Sequence, residues 1–190
     1  LLNLSMFVRI FVGLALILYP LLVYLGIKVF EPKAIGIGLI VLLVIRQLAL
    51  KKHLKSETIN PVPITLGALL LALLGVAFNS LSWFLFYPAL VSFIFLILFL
   101  VTLKKPPNMI ERFAIAMGQP SSKELSSYTF KVTLVWCLFF ILNMMISLYV
   151  TLYETLELWT LYNGLLSYCV MGVIFLLEYL VRPKTNVSRE

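Results

Sequence analysis

The sequence predicts an all-α integral membrane protein: six transmembrane helices in three hairpins, both termini cytoplasmic, and a short interfacial helix in the fourth loop. Three observations lead there. Of the 190 residues, 62% are hydrophobic and only 12% charged, against about 25% charged in soluble domains. A soluble chain of this size must still cover its surface with polar groups, and lipid is the solvent that lifts that requirement. The uncharged runs have the lengths that spanning helices need, roughly 20 residues each. Lys and Arg, finally, fall almost entirely on one side of those runs.

The elements follow in order within one membrane domain covering residues 1–190. Ile10 to Ile27 is uncharged and gives a first span near 8–29. Ala34 to Leu50 gives a second, near 33–50, if Arg46 snorkels toward water. Thr58 to Leu103 is uncharged for 46 residues, too long for one helix. "FNSLSW" (Phe78–Trp83) divides it into spans near 62–79 and 83–103. The third span is short, but "ITLGALLLALLGVAF" holds no breaker beyond its glycines and reads as a crossing, not a re-entrant turn. Its Ala68, Ala72 and Gly75 share a face that permits close helix approach. Val132–Tyr153 and Leu158–Leu177 anchor the last spans, near 129–153 and 158–182.

The fourth connection carries an interfacial helix near 107–117. Met109, Ile110, Phe113, Ala116 and Met117 recur at helical spacing, with Glu111 and Arg112 on the opposite, solvent side. Gly118 and Pro120 end it, and Ser121 three residues before Glu124 is a capping-box pattern for the fifth helix. The three hairpins each finish in positive charge, which fits either a threefold repeat or the positive-inside rule acting three times.

Under this layout thirteen cations lie inside: Arg9, Arg46, Lys51, Lys52, Lys55, Lys104, Lys105, Arg112, Lys123, Lys131, Arg182, Lys184 and Arg189. Only Lys28 and Lys33 lie outside. The net charge of +7 is thus a topology signal that attracts anionic lipid, not a nucleic-acid site. No cleavable signal peptide is expected, because the first apolar run is too long for one. Cys137 and Cys169 fall inside spans and read as small buried apolar residues.

Reactive side chains are scarce. The chain has no Asp, and its one histidine, His53, sits among lysines in a loop. No metal site, cofactor site or catalytic group is expected. Two helices do carry polar groups. Asn143 and Ser147 share a face with Trp136 in the fifth span; Asn163, Ser167 and Glu178 form a stripe with Met171 and Ile174 in the sixth. This stripe is either hydrogen-bonding glue between the helices or a polar path for a substrate. Glu178, four residues ahead of Arg182, has the favourable orientation for an interfacial ion pair.

"LVTLKKPPNMIERFA" followed by "KVTLVWCLFFILN" resembles the bacterial intracellular septation protein A family, through Lys104, Lys105, Pro106, Arg112, Trp136, Phe139 and Phe140. "LYNGLLSYCVMGVIFLLEYLVR" is more similar to a related group of inner-membrane proteins encoded beside fatty-acid-synthase-like and aryl-polyene genes. Asn163-Gly164 and Glu178 depart from the septation pattern. The resemblance covers about residues 100–182 and implies a multi-pass protein of the bacterial inner membrane that is not an enzyme. Two roles follow: support of envelope or lipid biogenesis through membrane-protein partners, or carriage of a lipid-like acyl or polyene product. The expected partners are membrane lipids and other inner-membrane proteins, with self-association left open.

Overall fold

The computed structural model describes residues 19–27, 29–50 and 62–182, with side chains at 20–26, 29–45 and 62–182. Expectations for the first half of span one, Arg9, Lys28, the Arg46 side chain, the loop with Lys51, Lys52, His53 and Lys55, and the tail with Lys184 and Arg189 lie outside the described residues. Among the described residues every regular element is helical.

The elements are α1 (Tyr19–Ile27), α2 (Pro32–Leu50), α3 (Val62–Ala77), α4 (Ser82–Leu85), α5 (Tyr87–Lys104), α6 (Met109–Ala116), α7 (Lys123–Tyr153), α8 (Leu156–Leu161), a π-helical turn at Tyr162–Leu166, and α9 (Ser167–Val181). Three helical stretches are long and apolar enough to cross a membrane: Ser82–Lys104, Lys123–Tyr153 and Leu156–Val181. Pro32–Ile45 and Val62–Ala77 are shorter apolar helices.

Local chemistry sets the boundaries. The turn after α1 closes with Phe30 N and Val29 N donating to Gly26 O, and Pro32 opens α2 where its missing N–H costs nothing. Asn79, at φ 46°, makes the left-handed step of the turn after α3. The helix that follows is not continuous from residue 83. It breaks at Phe86, and Pro88 then sits in the first turn of α5. At that break the Leu85 carbonyl accepts from Trp159 Nε1 at 3.0 Å and Thr151 Oγ1 at 3.2 Å. The buried Trp159 thereby ties α8 to the α4–α5 joint.

α2 and α3 meet along the expected small-residue face, with Ala68, Ala72 and Gly75 buried. Gly75 is required there, because a Cβ would overlap the buried Phe84 ring. A second core joins α5 and α7 through aromatic rings. Phe140 stacks on Phe95 at 5.4 Å and meets Phe99 edge-on at 5.1 Å, while Trp136 meets Phe139 at 5.6 Å. The septation-like aromatics Trp136, Phe139 and Phe140 are therefore packing residues, whereas Lys104, Lys105 and Pro106 are exposed.

Several expectations need correction. α7 starts at Lys123, six residues ahead of the span expected near 129–153, and at about 1.5 Å per residue it runs to roughly 46 Å, well beyond a hydrocarbon core of about 30 Å. Its N-cap is Ser122, whose Oγ accepts from Leu125 N at 3.1 Å; Ser121 instead lies 3.5 Å from Glu111 Oε1. The cap sits one residue later because the extended backbone of Ser122, at φ −141° and ψ 161°, aims its oxygen at the first turn. The helix near 107–117 is α6, but Glu111 faces inward and is buried, while Ala116 and Met117 are exposed. Cys137 is buried, but Cys169 is exposed on α9.

Candidate functional site

The inward turn of Glu111 arises from the start of α6. Asn108 is the N-cap, its Oδ1 accepting from Glu111 N at 3.0 Å and from Thr133 Oγ1 at 2.9 Å. Its Nδ2 donates to Glu111 Oε2 at 3.2 Å and Thr129 Oγ1 at 3.0 Å. Ser126 Oγ donates to Glu111 Oε2 at 3.1 Å. The buried carboxylate is thus held by neutral donors at a helix N-terminus, where negative charge is favoured. This clasp fastens α6 across α7. The sequence signal was present but unread: Asn before a helix with an acid three residues on, and Thr129 and Thr133 one turn apart. Arg112 remains outside the clasp, donating from Nε to Pro107 O at 2.9 Å.

The polar stripe divides between two tasks. Ser147 Oγ donates to Asn163 Oδ1 at 2.9 Å, joining α7 to the π turn. Asn163 Nδ2 donates to Trp159 O at 3.0 Å, so a side chain serves that carbonyl where the helix widens. Asn143 Nδ2 donates to Ser92 Oγ at 2.8 Å, and Tyr162 OH donates to Asn143 Oδ1 at 3.0 Å. Asn143 therefore links α5, α7 and the π turn, with Ser92 and Tyr162 as partners that spacing alone did not identify. Ser167 turns back on its own helix, to Asn163 O at 3.3 Å. At the other end, Arg182 Nη2 and Glu178 Oε2 are 2.8 Å apart, and Tyr128 OH donates to Glu178 Oε1 at 3.0 Å.

Between these polar ends α9 does not close fully against the packed pair of α5 and α7. The three helices border a groove of about 800 Å³, within the range of ligand sites. Its walls include Val91, Phe95, Val132, Phe139, Met171 and Phe175. Asn143, Ser92, Asn163 and Ser167 border it at one end; Tyr128, Glu178 and Arg182 at the other. α6 flanks it through Ile110, Phe113 and Met117. The distance from Tyr128 to Asn143 along α7 is roughly 22 Å, more than half of a hydrocarbon core about 30 Å thick. An extended chain from one leaflet fits such a length.

Among the described residues, no three His, Cys or Glu side chains gather as a metal would require. Fold and site together define a membrane protein, helical throughout its described regular elements, with an open and mostly apolar groove. Comparison with protein-family models, curated proteins and solved structures finds no match.

Proposed function

We propose that this chain is a six-span protein of the bacterial inner membrane, both termini cytoplasmic, that serves envelope or lipid biogenesis without catalysis by holding a lipid-like chain. The observation that carries this reading is the groove bordered by α5, α7 and α9, apolar along its length and polar at its ends. Carriage needs a path of this kind and no nucleophile–base pair. The resemblance of residues 100–182 to septation-like and lipid-cluster membrane proteins supports the same setting. A fatty acid bearing a photoreactive diazirine, irradiated with the purified protein, should label the half-buried groove residue Met171 above the exposed Leu176 and Leu177. Uniform labelling of α9 would show that the groove is ordinary lipid-facing surface.

A second reading, action through membrane-protein partners, rests on α9. Ser167 is its buried residue, and Val173, Leu176, Leu177 and Leu180 are exposed. Such a face meets another protein as readily as lipid. Recovery of a stoichiometric membrane partner that protects these residues, with no diazirine label in the groove, would favour it.

The topology has its own test. Single cysteines at Ser80 and Lys105, in a chain lacking Cys137 and Cys169, should react differently with an impermeant reagent in intact cells. Ser80 should label and Lys105 should not, since the basic connections stay inside. The reverse pattern would overturn the six-span layout.

A further inference from the structure

The groove end near Tyr128 carries an ordered arrangement of charge. α7 and α9 face each other there, because the Tyr128 hydroxyl reaches both Glu178 Oε1 at 3.0 Å and the Glu178 carbonyl at 3.3 Å. One helical turn outward from Tyr128 on α7 stands Glu124; one turn outward from Glu178 on α9 stands Arg182. Both border the groove. Two rungs result, an inner one of Tyr128 and Glu178 and an outer one of Glu124 and Arg182.

The inner rung is satisfied. Glu178 accepts from Tyr128, from Arg182 Nε at 3.0 Å and from Arg182 Nη2 at 2.8 Å. Its side chain is only 11% exposed, while that of Arg182 is 47% exposed. Two of the five guanidinium donors go to Glu178, and the exposed edge is left facing outward. Glu124, exposed at the start of α7, hydrogen-bonds with Ser122 and its own backbone N–H but is in no ion pair among the described residues. The outer rung therefore presents an acid on one wall and the free edge of a guanidinium on the other.

Glu124, Glu178 and Arg182 are the charged residues bordering the groove. Their sum is one negative charge, so a purely anionic head would meet a half-neutralised arginine beside a carboxylate that no cation pairs. A head carrying both signs would meet each group with its complement. Building on the chain-holding role above, we propose that the ligand is a membrane amphiphile with a zwitterionic phosphate–amine head. Its chain lies along the groove, a phosphate oxygen accepts from Arg182, and the ammonium donates to Glu124.

Trp136 borders the groove and supplies the readout in a chain carrying Trp83→Phe, with the buried Trp159 as constant background. The purified full-length chain in detergent is titrated with two lysophospholipids that share one brominated acyl chain. One has a phosphoethanolamine head, the other a phosphoglycerol head. Bromine quenches indole fluorescence at contact. The phosphoethanolamine form should half-quench at about tenfold lower concentration, equivalent to about 1.4 kcal/mol. Glu124→Gln, at an exposed site, should reduce that preference to less than about threefold while both lipids still quench. Arg182→Gln should weaken both forms. Equal quenching by the two heads in the Trp83→Phe chain, or an unchanged preference on adding Glu124→Gln, would overturn the head assignment and leave chain holding intact. Failure of both lipids to quench would overturn both readings.

Discussion

The two flanks of α7 are held in different ways. Toward α5 and α6 it is sealed: Trp136, Phe139 and Phe140 are buried among the α5 rings, and the Asn108–Glu111 clasp fixes α6 across its start. Toward α9 and the π turn before it the contacts are sparser, with Met171 and Ile174 on the aromatic cluster and Tyr162 on Asn143. Ser147 meets Asn163, the Trp136 ring meets Phe175 at 4.7 Å, and Tyr128 meets Glu178. Between helices in lipid there is no hydrophobic driving force, so association relies on packing and hydrogen bonds. One flank uses extensive packing with a buried polar lock; the other uses polar pins at its ends with space between them. The difference teaches that a gap beside α9 is sustainable because its pins sit where α9 begins and ends. The gap leaves the α5–α7 core packed.

The most damaging break of the sealed flank is Asn108→Leu. It removes an N-cap, worth about 1 kcal/mol, and strips a donor from a buried carboxylate, worth roughly 1–3 kcal/mol more. A loss of about 3 kcal/mol in detergent unfolding is expected, with faster proteolysis between Lys104 and Lys123. Adding Glu111→Leu should recover part of the loss, since two apolar groups are better tolerated than one orphaned charge. A loss below about 1 kcal/mol would show that the aromatic packing alone seals this flank.

The open flank should respond less and more locally. Asn163→Val removes the acceptor for Ser147 and the side-chain donor to Trp159 O. Interhelical hydrogen bonds in membranes average near 0.6 kcal/mol and reach about 1.7, so a loss of roughly 1–2 kcal/mol is expected. Hydrogen exchange should rise in α9 and the π turn while α5 keeps its protection. Equal loosening of α5 would mean that the two flanks unfold as one unit, and the contrast drawn between them would fail.

These contrasts explain which features could be read from the chain. Apolar run lengths located the three helical stretches long enough to cross, Ser82–Lys104, Lys123–Tyr153 and Leu156–Val181, because a run's length is a local property measured against the bilayer. The ion pair of Glu178 with Arg182 and the small-residue face of α3 were legible for the same reason, as spacings within one helix. Glu111 was assigned to the wrong side because a charged residue opposite Met109 and Phe113 reads as solvent-facing. Its actual partners, Ser126 on α7 and the side chain of Asn108, are set by how α6 crosses α7. Likewise, the stripe of Asn143, Asn163 and Ser167 was visible, but Ser92 on α5 was not, and nothing local marks an aromatic wall as lining open space. The π turn was also hidden, since it depends on Asn163 sharing in the hydrogen bonding of its own helix.

The smallest expected effect bears on what covers the outer face of α9. Gly172 is exposed, and a Cβ placed there would meet nothing within 4 Å. Glycine inside a helix is disfavoured relative to leucine by up to about 1 kcal/mol, because it leaves more backbone freedom to be lost. Gly172→Leu should therefore raise stability by a few tenths to about 1 kcal/mol in detergent, and leave groove labelling unchanged. In the native membrane the outcome depends on the neighbour. Lipid chains rearrange around an added isobutyl group, so an α9 that faces lipid keeps the gain. A packed protein surface does not rearrange so freely, and overpacking typically costs 1–3 kcal/mol. Gly172→Leu protein that is more stable in detergent yet loses abundance or a copurifying subunit in membranes would place another helix against this face. That result would move the weight from chain holding toward the partner reading, because the open flank of α7 would then be open only in the isolated chain.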